Sequence, residues 1–155
     1  MQHKTLDSYT YTGLGFPIFL QQTELVKIDG EWQAKINVRK IADQAIKILA
    51  TQTERLTGNQ VKFIRGYFEM SLRQFAKQVV RESHAAVNKW ESFADEVTNM
   101  DSNIEIMLRL YIIEQIEAKT IKQKNSFYGK YLQLKNICFS SKKTSQLNIG
   151  QALLV

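Results

Sequence analysis

Residues 83–91, Ser-His-Ala-Ala-Val-Asn-Lys-Trp-Glu, are of types that can touch and read a polyanion. Ser83 is a helix-start signal. The helix after it buries Ala86 or Val87 together with Trp90, and so leaves His84, Ala85, Asn88 and Lys89 facing outward. A face that is small, amide-bearing and basic suits the major groove of duplex DNA. There Asn88 can form a bidentate pair with adenine, and Ala85 or Ala86 can meet a thymine methyl. His84 can donate to a guanine N7 or a phosphate, and Lys89 suits either. The Ser83 hydroxyl, or the N–H groups at the helix start, can also hold a phosphate. The plainer alternatives are a solvated His84 and an Asn88 bonded to its own backbone.

These side chains need a second helix to hold them. Ser71 can cap one, with Gln74 completing a capping box, and Leu72, Phe75, Ala76 and Val79 recur at helical spacing. Arg73 and Lys77 fall on its exposed side, where they suit either a DNA backbone or plain solubility. Arg81, in the connection Val80-Arg81-Glu82, suits phosphate or guanine, whereas Glu82 is wrong-signed unless paired with Arg81. Two short helices with a tight connection predict a helix-turn-helix, with 83–91 as the recognition helix.

Ser-x-x-x-Phe-Ala at 71–76, Ser83, Val87 and Lys-Trp-Glu at 89–91 resemble the helix-turn-helix of lambda-repressor-like (Xre-type) regulators. The resemblance covers residues 56–113. It implies a cytoplasmic, sequence-specific transcriptional regulator, a repressor, that binds double-stranded DNA as a homodimer. Half-sites are then expected about one helical turn apart, or a multiple of that. The family usually has a glycine in the turn, and here Val80-Arg81-Glu82 stands there, one residue longer. Without glycine, no position easily takes a left-handed conformation. The layout is also similar to bacterial antitoxins with a small N-terminal β-containing domain before the helix-turn-helix. That resemblance implies a toxin as a protein partner. Some of those domains are zinc ribbons with two cysteine pairs, but residues 1–50 hold no cysteine, so zinc is not carried over.

Composition narrows the classes. The 155 residues are 44% hydrophobic, enough for a core. No apolar run approaches the length of a membrane span, and the first ten residues lack a signal-peptide core. Cys138 is alone, and with only His3 and His84 besides, no metal is expected. No Ser-His-Asp order, paired acids or phosphate loop is evident, so neither enzyme activity nor a cofactor is expected. Gly13-Leu14-Gly15 lacks the third glycine and following helix of a dinucleotide site and suits a turn. Residues 118–155 carry seven lysines and no acid, so of the net +6 the preceding 117 residues contribute −1. This tail can touch phosphates nonspecifically or simply stay solvated.

In chain order, residues 1–8 are polar and expected to be loose. A small antiparallel sheet is predicted over 9–36, with Asp29-Gly30 as a hairpin turn. Asn37 caps a helix running to about residue 51. Thr57 and Gln60 form another capping box, for a helix ending near residue 69. Residues 92–100 are a polar connection. A helix from Ser102 is apolar over most of its surface, with Ile104, Met107, Leu108, Tyr111 and Ile112 as its main stripe. More than one neighbour, or a partner subunit, is expected to cover it. Residues 127–134 can be helical and 136–139 strand-like. Leu147, Ile149 and Leu153–Val155 can dock on the body or on a partner. The predicted class is α+β, mainly α: a sheet and helix over 1–53, a helix-turn-helix bundle of four to five helices over 54–118, and a basic extension over 119–155.

Overall fold

A computed structural model describes residues 1–116 and 146–150. It is α+β with helices predominating: a mixed sheet is followed by five helices. Expectations for residues 117–145 and 151–155, including the lysine-rich stretch, lie outside the described residues. The chain forms two units, Met1–Ala45 with Gln146–Val155, and Ile46–Ser145.

In the first unit, β1 (His3–Tyr11), β2 (Ile18–Ile28) and β3 (Glu31–Ala34) form an antiparallel meander. Asp29 and Gly30 both have positive φ, 51° and 85°, and Ile28 pairs with Glu31 across them. Two left-handed residues give the loop the twist that adjoining strands need, so Asp-Gly works here as expected. Two expectations are corrected. Residues 3–8 are not loose, because they pair with β2 from His3↔Val26 onward. Polar side chains do not oppose an edge strand whose outer surface meets water. The sheet is also not purely antiparallel. β3 reaches only residues 25–28 of β2, and β4 (Leu147–Ile149) runs parallel to Ile18–Leu20 on that same strand. Leu147 and Ile149 are buried there.

Gln22 (φ 54°) changes the phase of β2. Before it Ile18 and Leu20 are buried, and after it Thr23 and Leu25 are, an even-to-odd switch. β1 follows, with Leu6 half-buried on one side of Asp7 and Tyr9 and Tyr11 on the other. One irregular residue pair lets a strand of period two keep its apolar side chains inward while it bends. α1 (Val38–Thr51) begins where Asn37 Oδ1 accepts from the Lys40 N–H, and its residues fall in both units.

In the second unit, α2 (Gly58–Tyr67) and α3 (Leu72–Phe75) start at Thr57 and Ser71 with complete capping boxes. A π-helical turn, Ala76–Val80, continues α3 directly. α4 (His84–Glu91) and α5 (Ser102–Ile116) follow. Leu56, Val61, Ile64, Phe75, Val87, Leu108 and Ile112 are fully buried. The stripe on α5 is corrected at Met107, which is 58% exposed. Arg109, inside that apolar helix, is fully buried instead. Among the described residues no helix is long and apolar enough to cross a membrane.

Candidate nucleic-acid interface

The connection between α3 and α4 is built without glycine. In a π turn each N–H reaches the carbonyl five residues back, so the turn holds one more residue than an α turn. Ala76–Val80 adopts this form: the Arg81 N–H reaches the Ala76 carbonyl five residues back, and the Glu82 N–H donates to the same carbonyl at 3.0 Å. The widened turn keeps both Val79 and Val80 buried. The left-handed position falls on Arg81 (φ 55°, ψ 42°), a residue that does not take it as easily as glycine. Ser83 then starts α4 as expected, its Oγ accepting from the Ala86 N–H at 3.1 Å.

Val87 and Trp90 are buried and Ala86 is half-buried, so the inward side of α4 is settled in favour of Val87. His84, Ala85, Asn88 and Lys89 are all exposed on the other side. Arg73, Lys77, Arg81 and Ser83 are exposed as well. An open depression of about 400 Å³ lies between α3 and α4, lined by Arg73, Ala76, Lys77, Glu82, Ser83 and His84. It brings together Arg73, Lys77, Ser83 and His84, with Glu82 as the one acid among them. Arg81, Ala85, Asn88 and Lys89 lie outside its lining.

Two arrangements hold this surface in place. Arg65 on α2 donates Nε to Glu91 Oε2 at 2.7 Å, Nη2 to Glu91 Oε1 at 3.0 Å, and Nη1 to the Met70 carbonyl at 3.0 Å. One guanidinium thus ties the end of α4 to α2 and to the residue before Ser71. The bond to Glu91 raises the Arg65 pKa above its ordinary value, against the opposing effect of burial. At the other end of α2, the Gly58 and Asn59 N–H groups bond to the Glu96 and Ala94 carbonyls. A Cβ on Gly58 would come within 2.6 Å of the Trp90 carbonyl oxygen and the Ala94 nitrogen. Only glycine allows this approach of α2 to the end of α4.

A second ionic cluster holds the segment before α2 onto α5. Glu105 and Arg109 are both fully buried and pair at 3.0 Å. Glu105 Oε1 also accepts from Arg55 Nε and the Leu56 N–H, each at 3.2 Å. Arg109 donates further to the Gln52 and Glu54 carbonyls, and Arg55 to that of Met100. Burial lowers the Arg109 pKa from its ordinary value, and Glu105 opposes that shift. The Arg65–Glu91 pair and this cluster were both missed in the sequence. The second had a signal: Glu105 and Arg109 are the only charges in Ile104–Ile113 and stand four residues apart.

Among the described residues no three His, Cys, Asp or Glu side chains group so as to hold a metal ion. No protein-family model, curated protein or solved structure matches this chain.

Proposed function

We propose that this protein is a cytoplasmic regulator of transcription that binds duplex DNA through α4 and acts as a homodimer. The observation that carries this reading is the outward face of α4, where His84, Ala85, Asn88 and Lys89 are exposed beside Arg73 and Lys77. In this reading His84, Ala85 and Asn88 meet base edges. Arg73, Lys77, Arg81, Ser83 and Lys89 meet phosphates and set the register of the helix on the duplex. One helix of this length covers too little DNA for strong discrimination, so two copies act together.

The test is fluorescence anisotropy with the DNA upstream of the protein's own gene and with a scrambled duplex of equal length. The parent protein is expected to prefer the upstream DNA. His84→Ala with Asn88→Ala is expected to abolish the preference and keep the nonspecific affinity. Equal affinity of the parent protein for both duplexes overturns the proposal.

A further inference from the structure

Residues paired across neighbouring strands share a face of the sheet, and so do residues two apart along one strand. Lys4 pairs with Leu25, and Lys27 with Trp32. Leu25 and Lys27 are two apart on β2, so Lys4, Lys27 and Trp32 stand on one face, one from each strand of the meander. Glu24 and Glu31 fall on the other face, where Glu24 meets His3 at 3.0 Å and Lys35 at 3.6 Å. Among the described residues neither Lys4 nor Lys27 has an ion-pair partner. This end of the sheet thus matches its charges on one face and leaves two cations unmatched on the other.

Both ammonium groups collect at Trp32. Lys4 Nζ lies 4.2 Å from the ring centroid and Lys27 Nζ 5.9 Å from it. Trp32 itself is 39% exposed, so a ligand can reach the indole. Two like charges gathered at one ring repel each other, and an anion beside them relieves that repulsion. A cation at an exposed aromatic ring is held less firmly than one hydrogen-bonded to phosphate. An arriving phosphate therefore draws an ammonium off the indole and uncovers the ring for a flat partner.

We infer that this face of the sheet binds single-stranded nucleic acid, with one base stacked on Trp32 and the flanking phosphates on Lys4 and Lys27. The unmatched lysines select a polyanion, and the exposed indole selects one that carries aromatic rings. A single strand has its bases free to stack, whereas a duplex keeps them inside. All three residues belong to the first unit, so the inference does not depend on the reading of α4.

Tryptophan fluorescence of the full chain, titrated with a short oligothymidylate, tests it. Of the two tryptophans, Trp90 is only 6% exposed, so quenching on binding reports Trp32. The parent protein is expected to be quenched, and Trp32→Leu is expected to lose the quenching. Anisotropy of the labelled oligonucleotide is expected to show about ten-fold weaker binding by Trp32→Leu, the loss of one stacked base. Lys4→Gln with Lys27→Gln leaves the buried side chains untouched. It is expected to lower the magnitude of the log–log salt slope by about 1.4, roughly 0.7 for each phosphate contact on a single strand. Inorganic polyphosphate, which has the charge without the bases, is expected to bind more weakly than the oligonucleotide. An oligonucleotide that leaves Trp32 unquenched overturns the inference, as does polyphosphate binding equally well. Equal quenching by a blunt duplex, or by vesicles of anionic lipid in place of the oligonucleotide, overturns it too. Loss of sequence preference at α4 with these results intact sinks the duplex reading alone.

Discussion

Arg65 and Glu91, 26 residues apart, meet through two parallel hydrogen bonds of 2.7 and 3.0 Å. Their side chains are only 19% and 10% exposed, so losing one partner strands a poorly hydrated charge. Arg65→Ala is expected to cost about 3 kcal/mol in urea denaturation. Arg65→Lys is expected to recover less than half of that, because an ammonium cannot reproduce the paired geometry and reach the Met70 carbonyl together. A lysine variant as stable as the parent would refute the bidentate role.

Arg81→Gly separates folding from binding. Arg81 holds a left-handed backbone (φ 55°) at the end of the π turn. Glycine takes that conformation without a Cβ clash, though it adds entropy to the unfolded chain. The net expectation is a gain of up to about 1 kcal/mol in thermal or urea unfolding. DNA affinity is expected to fall with loss of the cation, so the two measurements move in opposite directions.

Gly58→Ala is expected to destabilise by about 2–3 kcal/mol, since the added carbon meets backbone atoms that cannot swing away. Gly66→Ala is expected to leave the monomer unharmed or more stable, because the space there is open. Comparing the two melting temperatures at low protein concentration checks both. Equal losses would contradict the packing described at Gly58.

Replacing Glu105 by Ala removes the acceptor shared by Arg55, Arg109 and the Leu56 N–H. The expected cost is about 3–5 kcal/mol, the range for an orphaned buried charge. A loss under about 1 kcal/mol, typical of a surface pair, would show that water reaches this cluster.

Salt dependence distinguishes the roles assigned around α4. Lys77→Ala and Lys89→Ala are each expected to lower the magnitude of the log–log slope of affinity against salt by about 1. Asn88→Ala is expected to leave the slope unchanged and to reduce the preference for one sequence. An unchanged slope in both lysine variants would remove them from the phosphate contacts.

Local physics was readable in the sequence because it acts over a few residues. Thr57, Ser71 and Ser83 cap their helices through N–H groups three residues away. Asp29-Gly30 needs only its own two backbone conformations to turn the chain. The exposed face of α4 followed from burial of Val87 and Trp90 at helical spacing. Tertiary structure decided whatever depended on a distant partner. β4 pairs with β2 because β3 is too short to fill that edge, a fact absent from either segment alone. His3–Ser8 is a strand because β2 stands beside it, not because of its own polarity. Arg109 is buried, and Met107 exposed, because the carbonyls of Gln52 and Glu54 meet α5 on one side only. Hydrogen bonds between near neighbours are written in residue order, whereas the choice among remote partners is made only when the whole chain packs.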